Sequence, residues 1–91
     1  MKVQWDSAKA STNLAKHGVT FEEAVTALCD PLAATIPDPD HSVEEQRYLT
    51  VGYSAAGRLL VVSHTDSGTI VRVISARTAT ATERYRHEAA P

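Results

Sequence analysis

Three β-rich runs within thirty residues constrain this chain more than anything else in it. Arg47 to Ser54, Arg58 to Thr65 and Thr69 to Ala76 are separated only by Ala55-Ala56-Gly57 and Asp66-Ser67-Gly68. Connections this short join antiparallel neighbours, because parallel strands need a crossover of a dozen residues or more. An antiparallel meander is therefore expected at the centre of the fold.

The flanking segments supply helices. Met1 to Trp5 alternates as a short edge strand, and Asp6 is placed to cap a helix running to about His17. Gly18 can take the left-handed conformation that ends it, with Lys16 and His17 in the last turn, where the helix dipole favours cations. Thr20 then caps a second helix, Glu23 three residues on completes a capping box, and Val19 can staple onto Ala24. Phe21, Ala24, Val25 and Leu28 follow at the spacing of one buried stripe, and Asp30-Pro31 ends the helix. Leu32 to Ile36 reads as a short strand and Pro37-Asp38-Pro39-Asp40 as a loop. Thr80 and Glu83 form another capping box, opening a last helix to about Glu88. The order is β-α-α-β-β-β-β-α: an α+β domain spanning residues 1–91, with an antiparallel sheet, two N-terminal helices and a C-terminal helix.

Antiparallel pairing fixes which side chains share a face. With Tyr48 opposite His64 and His64 opposite Val71, one face carries Leu49, Val51, Tyr53, Leu59, Val61, Ile70, Ile74 and Ala76, and is expected to be the core. The other carries Tyr48, Thr50, Ser54, Arg58, Leu60, Val62, His64, Val71, Val73, Ser75 and Arg77, a mixed face with a cationic rim. Arg47 and Arg72 fall on the core-facing parity and read as strand-end ion-pair formers or as snorkelling side chains.

Composition narrows the chemistry. At 91 residues a single core is only just sufficient, which favours a partner that covers surface. One cysteine excludes an internal disulfide framework and fits a reducing cytoplasm. No leader is visible, and the longest apolar run, Leu59 to Val62, is too short to span a bilayer, so no membrane role is expected. A net charge of -2 and a pI of about 6.0 argue against a generally sticky nucleic-acid binder; any RNA contact needs a local cationic patch.

Metal-free RNA cleavage needs a group to take the ribose 2′-hydroxyl proton, a cation for the phosphate charge and an acid for the leaving oxygen. Arg77 and Arg58 suit phosphate, His64 suits proton transfer near neutrality, and Tyr48 or Tyr85 can stack on a base or donate a proton. His17, four residues after Asn13, reads either as a catalytic pair with it or as a helix-end residue. The histidines and Cys29 lack zinc-ligand spacing, so no metal or cofactor is expected, and Cys29 reads as a small buried apolar residue. Asp38, Asp40, Glu44 and Glu45 read as a solvated acidic run.

Taken in order, Trp5-Asp6, Asn13, Lys16-His17-Gly18-Val19, Phe21-Glu22-Glu23-Ala24, Asp30-Pro31 and Ile74-Ser75-Ala76-Arg77 resemble the BrnT family of toxins. The resemblance runs from Trp5 through Tyr85. It implies a small RelE-like fold and a ribonuclease toxin of a type II toxin-antitoxin system that stops translation, with RNA as substrate, free or on the ribosome. It also implies a BrnA-like antitoxin whose ribbon-helix-helix part binds the operon's promoter, so that DNA contact is indirect. Lys16-His17-Gly18, Arg47 after Glu44-Glu45, His64-Thr65 and Ser75-Ala76-Arg77 match recurrent positions of the family. The expected working site is therefore His64, Arg77 and Arg58, with Tyr48, Arg47, Lys16, His17 and Tyr85 as substrate contacts, and an antitoxin segment lying over the Arg58, His64 and Arg77 face. Two features depart from the family: Asp66-Ser67-Gly68 stands where relatives often carry a basic residue, and the net charge is acidic. They keep open an alternative, a catalytically silent toxin-fold module that binds a ribbon-helix-helix DNA-binding protein.

Overall fold

The computed structural model describes residues 1–40 and 45–89; His41 and Glu44 lie outside the described residues. In chain order the elements are β1 (Lys2–Gln4), α1 (Ser7–His17), α2 (Phe21–Leu28), β2 (Ala34–Pro37), β3 (Tyr48–Tyr53), β4 (Leu59–Asp66), β5 (Ile70–Thr78) and α3 (Ala81–Ala89). The strands form one sheet in the order β1-β5-β4-β3-β2. From β2 to β5 every pairing is antiparallel, as the short connections demand. β1 corrects the all-antiparallel expectation. It adds to the far edge in parallel, Lys2 opposite Ile70 and Gln4 opposite Arg72, which the long intervening chain permits. Pro37 closes β2 without breaking the ladder because β2 is an outer strand.

Tyr48 does pair with His64, but His64 pairs with Val73, not Val71. The register shifts between Ser63, opposite Ser75, and His64, opposite Val73, so Ile74 is an extra residue in β5. That bulge swaps the parity of the second half of β5. Ala76 turns in beside Val73, and Arg77 turns away from it.

The helix-covered core also lies on the opposite face from the one expected. Val19, Phe21, Ala24 and Ala27 pack on Leu60, Val62, Val73 and Ala76. Trp5 meets the Phe21 ring edge-on, with centroids 5.9 Å apart. Both faces carry apolar residues at their centre, since Leu59 and Val61 are buried too, so side-chain polarity alone does not tell them apart. At Gly52 a Cβ would stand 2.5 Å from the Ala27 carbonyl oxygen, which shows how closely the end of α2 presses on β3.

The expected caps form, with one change. Asp6 accepts from Lys9 N–H, Thr20 accepts from Glu23 N–H, and Gly18 ends α1 at φ 67°. At α3 the box is reciprocal: Thr80 accepts from Glu83 N–H, and Glu83 accepts from Thr80 N–H. The Glu23 carboxylate instead binds Arg58 and Ser54. Asp30, just past α2, accepts from the backbone N–H groups of Leu32 and Tyr53 and so ties the helix end to β3. Cys29 is exposed, contrary to expectation, because α2 ends at Leu28 and the following residue leaves the buried stripe.

Asn13 holds the two halves of the chain together. β1 covers β5 only as far as Arg72, leaving the next stretch of that edge without a strand. The buried Asn13 amide fills the gap: Oδ1 accepts from Ala76 N–H at 3.0 Å, while Nδ2 donates to Ala76 O at 2.8 Å and to Val19 O at 3.0 Å. Asn13→Asp keeps the shape but turns an oxygen towards two carbonyls. It is expected to cost about 3 kcal/mol in urea unfolding, the scale of buried polar groups left unpaired; a loss under about 0.5 kcal/mol would show that the bridge does not hold α1 to the sheet.

Candidate functional site

His64 is enclosed in the core, with 4% of its surface exposed. Its Nδ1 lies 3.1 Å from the Thr65 carbonyl oxygen, which can only accept, so Nδ1 donates. In the neutral ring Nε2 then accepts from the Thr50 hydroxyl at 2.7 Å, and Thr50 accepts from Thr35, also at 2.7 Å. Both nitrogens are used, so the expected accessible base is a buried hydrogen-bonded histidine. Tyr48 stacks on the same ring at 6.0 Å and so already has an aromatic partner.

Arg58 and Arg77 stand on opposite sides of the sheet, correcting the expectation of a shared face. Arg58 precedes β4 on the side of α1 and α2, where Nε donates to Glu23 Oε2 at 3.0 Å, Nη2 donates to Glu23 Oε1, and Nη2 also reaches Gly18 O at 3.1 Å. Ser54 donates to the same carboxylate at 2.7 Å. The group is a clasp between the β3–β4 turn and the α1–α2 junction. The Arg58 hydrogen bond, helped by Ser54 and opposed by burial, holds the Glu23 carboxyl below its ordinary range. On the far side, Arg77 forks onto Glu83 at 2.7 and 2.9 Å. That bond is the main reason the Glu83 carboxyl is lowered to about 2; burial opposes the shift and the Thr80 N–H assists it. With His64 under the helices and the two arginines on opposite sides, no one face presents all three to an antitoxin segment.

The face turned away from α1 and α2 gathers a different set. Arg47 and Leu49, Ser63 from β4, and Ile74 and Ser75 from β5 line a hollow of about 290 Å³, together with Asp38 and Asp40. Asp38 is buried there instead of solvated. Thr65 pairs with Arg72 on this face, and Arg72 Nη2 meets Glu45 Oε1 at 2.5 Å, with Arg47 Nε at 3.7 Å from the same oxygen. A second hollow, of about 320 Å³, opens between α1 and β5 and is lined by Lys9, Thr12, Lys16, His17, Ile74 and Ser75, among others. The two hollows share Ile74 and Ser75. Tyr85 lines neither and projects from α3 with 73% of its surface exposed. Beneath α3, an apolar groove of about 310 Å³ runs over Ile36, Leu49, Val51 and Val61, with Arg86 and His87 at its side.

A family described as ribonuclease toxin, BrnT, of type II toxin-antitoxin system matches residues 5–83. The chain belongs to the BrnT family. The crystal structure of the Brucella abortus ribonuclease toxin BrnT is similar, at 29% identity and a TM-score of 0.68, over 88% of this chain and 97% of that one. None of the curated proteins matches. Membership of a toxin-antitoxin family brings an antitoxin partner with it.

Within this BrnT chain much of the motif set is architectural: Trp5 packs on Phe21, Asn13 holds Ala76, Gly18 caps α1, Glu23 holds Arg58 and Asp30 holds Tyr53. Lys16 and His17 do come together with Ser75, and Arg47 shares that ridge from the other side. Lys9 and Thr12 were missed by sequence reasoning, although Lys9, Thr12 and Lys16 stand at i, i+3 and i+7 on α1, the spacing of one helical face.

The Arg77–Glu83 fork has a pH signature. The folded Glu83 value of about 2 lies below its ordinary 4.5, so its contribution is present above about pH 4.5 and is lost as the pH falls towards 2. Both side chains are partly exposed, Arg77 at 41% and Glu83 at 31%, which screens the pair. Glu83→Gln is expected to lower stability by about 1 kcal/mol at pH 7, with the difference closing between pH 4.5 and 2 in urea titrations. A gap that persists at pH 2 would mean that the cap, not the charge, carries the effect.

Proposed function

We propose that this chain is an endoribonuclease toxin of a type II toxin-antitoxin pair, acting in the cytoplasm on RNA, free or on the ribosome, and stopping translation. In this reading residues 1–91 act as one domain of RelE-like architecture. The neutralising partner is a BrnA-like antitoxin whose ribbon-helix-helix part carries the DNA contact. The observation that supports it best is the Arg77 fork. A guanidinium that grips a carboxylate through two parallel bonds at 2.7 and 2.9 Å on an accessible face has the geometry to grip a phosphodiester instead. Arg47, Arg72, Ser63 and Ser75 share that face and supply further donors.

Cleavage by this route attacks phosphorus with the neighbouring 2′-oxygen. One group removes the 2′-hydroxyl proton, another protonates the departing 5′-oxygen, and arginine charge stabilises the phosphate between them. With His64 enclosed, the proton-transfer role passes to His17, which opens on the hollow across the Ser75 ridge. Tyr48 and Arg58 support the fold in this reading and do not touch substrate.

One observation favours the second reading, a silent module that binds a ribbon-helix-helix protein. Arg47, Arg72 and Arg77 are each matched by a carboxylate of their own chain, and the net charge is -2. Tightly induced expression in a bacterial host separates the two. Wild type is expected to arrest growth and Arg77→Ala to lose that effect at equal soluble level, while Glu83→Gln, which breaks the same ion pair but keeps the arginine, still arrests. Loss in both variants would make Arg77 a structural partner of Glu83. No arrest by the wild type would favour the binding module.

A further inference from the structure

The sheet face under α3 is only half covered. Leu49, Val51 and Val61 carry apolar side chains to it, and Ala34 and Ile36 extend it to the β2 edge. A helix packed on such a face ordinarily presents an apolar stripe. Instead α3 presents Glu83, Arg86 and His87, and none of its described residues is buried. The groove between helix and sheet therefore stays open, with Ile36 57% exposed in it. The strand beside the groove is open as well. Asp38 N–H donates to Arg47 O at 2.8 Å, so by the alternation of an antiparallel ladder Ala34 and Ile36 turn their backbone groups to β3. Thr35 then turns its N–H and C=O outward, where no strand lies. Pro37 has no N–H, which closes this slot at one end and limits it to one short strand. At the groove's side Arg86 has no carboxylate partner among the described residues, and Glu83 is already taken by Arg77.

We infer that the β2 edge and this groove together seat one extended segment of the antitoxin, added as a strand beside β2, with apolar side chains at alternate positions and a carboxylate against Arg86. Backbone pairing with Thr35 holds the segment in place. The residues on either side of that pair then point onto the face of Ala34 and Ile36, and so into the groove. Alternate apolar side chains cover Ile36, Leu49 and Val51, and the carboxylate gives Arg86 the partner its own chain does not supply. The lining selects a peptide over RNA. It is aliphatic apart from the α3 side chains, and its one ring, the His87 imidazole, is already against Tyr53 at 6.1 Å, so no free platform remains for a base. The inference rests on the toxin-antitoxin reading, though not on RNA cutting. A segment seated here lies against Glu83, on the far side of the sheet from Arg58, and closes the approach to Arg77 from the α3 side.

The test combines amide hydrogen exchange and titration, on the full chain with the purified antitoxin of its own operon. The Thr35 amide is expected to exchange freely in the chain alone and about 100-fold more slowly in the saturated complex. This reading needs no variant. Ile36→Lys and Arg86→Glu, both at exposed positions, are each expected to weaken antitoxin binding about tenfold, with melting temperatures near that of the wild type. Lys2→Gln, on the opposite edge of the sheet, is expected to leave binding unchanged. An unprotected Thr35 amide in the saturated complex overturns strand addition, and undiminished binding in both variants overturns the groove. Protection that rises with the concentration of the chain alone assigns the edge to a second copy and overturns the proposal. Protection by a single-stranded RNA and not by the antitoxin overturns it as well. Absence of antitoxin binding by the wild type also overturns it, and growth arrest then decides the ribonuclease reading separately.

Discussion

One carboxamide joins what the sequence keeps far apart. Asn13 pairs with both backbone groups of Ala76 and with the Val19 carbonyl, and so does three jobs at once. It completes the ladder where β1 has ended, it seats α1 on the sheet, and it satisfies the carbonyl just beyond the α1 cap. Buried backbone groups without partners are costly, so an edge strand covered by a helix needs such a substitute for a neighbouring strand. The placement of Lys9, Lys16 and His17 against β5 follows from it, because the helix that carries them can neither roll nor slide while the amide is bonded.

Much of this architecture could be read directly. The short turns dictated the meander, and Asp6, Gly18, Thr20 and Thr80 marked helix ends where the structure has them. Tyr48 opposite His64 followed from the first turn alone. The reading failed where a decision depended on something non-local. Which face the helices cover is set by packing of Phe21 and Ala24, and both faces offered comparable apolar residues. The bulge at Ile74 leaves no mark in composition, yet it reverses the parity of everything after it in β5. For the candidate site this was decisive: Arg58, His64 and Arg77 looked like neighbours only on an unbroken ladder, whereas Lys16 and His17 needed only the α1 helix to be right.

The charge pattern separates fold from function in a second way. Arginines carry the fold's ion pairs, on both sides of the sheet, and do so through planar forks that a lysine cannot reproduce. Among the described residues Lys9 and Lys16 on α1 have no carboxylate in an ion pair, and Lys16 meets only the negative end of its own helix. An acidic protein of this kind can bind a polyanion locally without attracting nucleic acid over its whole surface, because screening confines each patch to about 8 Å at physiological salt.

The extra residue in β5 also gives the strand two reading frames. Before Ile74, odd-numbered positions such as Val71 and Val73 belong to the helix-covered interior; after it, even-numbered ones such as Ala76 do. Straightening the bulge with Ile74 drawn into the ladder would therefore do more than smooth a strand. It would send Arg77 into the apolar interior and expel Ala76, dismantling the Asn13 bridge and the Glu83 fork in one step, whereas deleting Ile74 would leave both residues facing as they do. The single unpaired position in β5, as much as the identity of its side chains, decides which residues this fold buries.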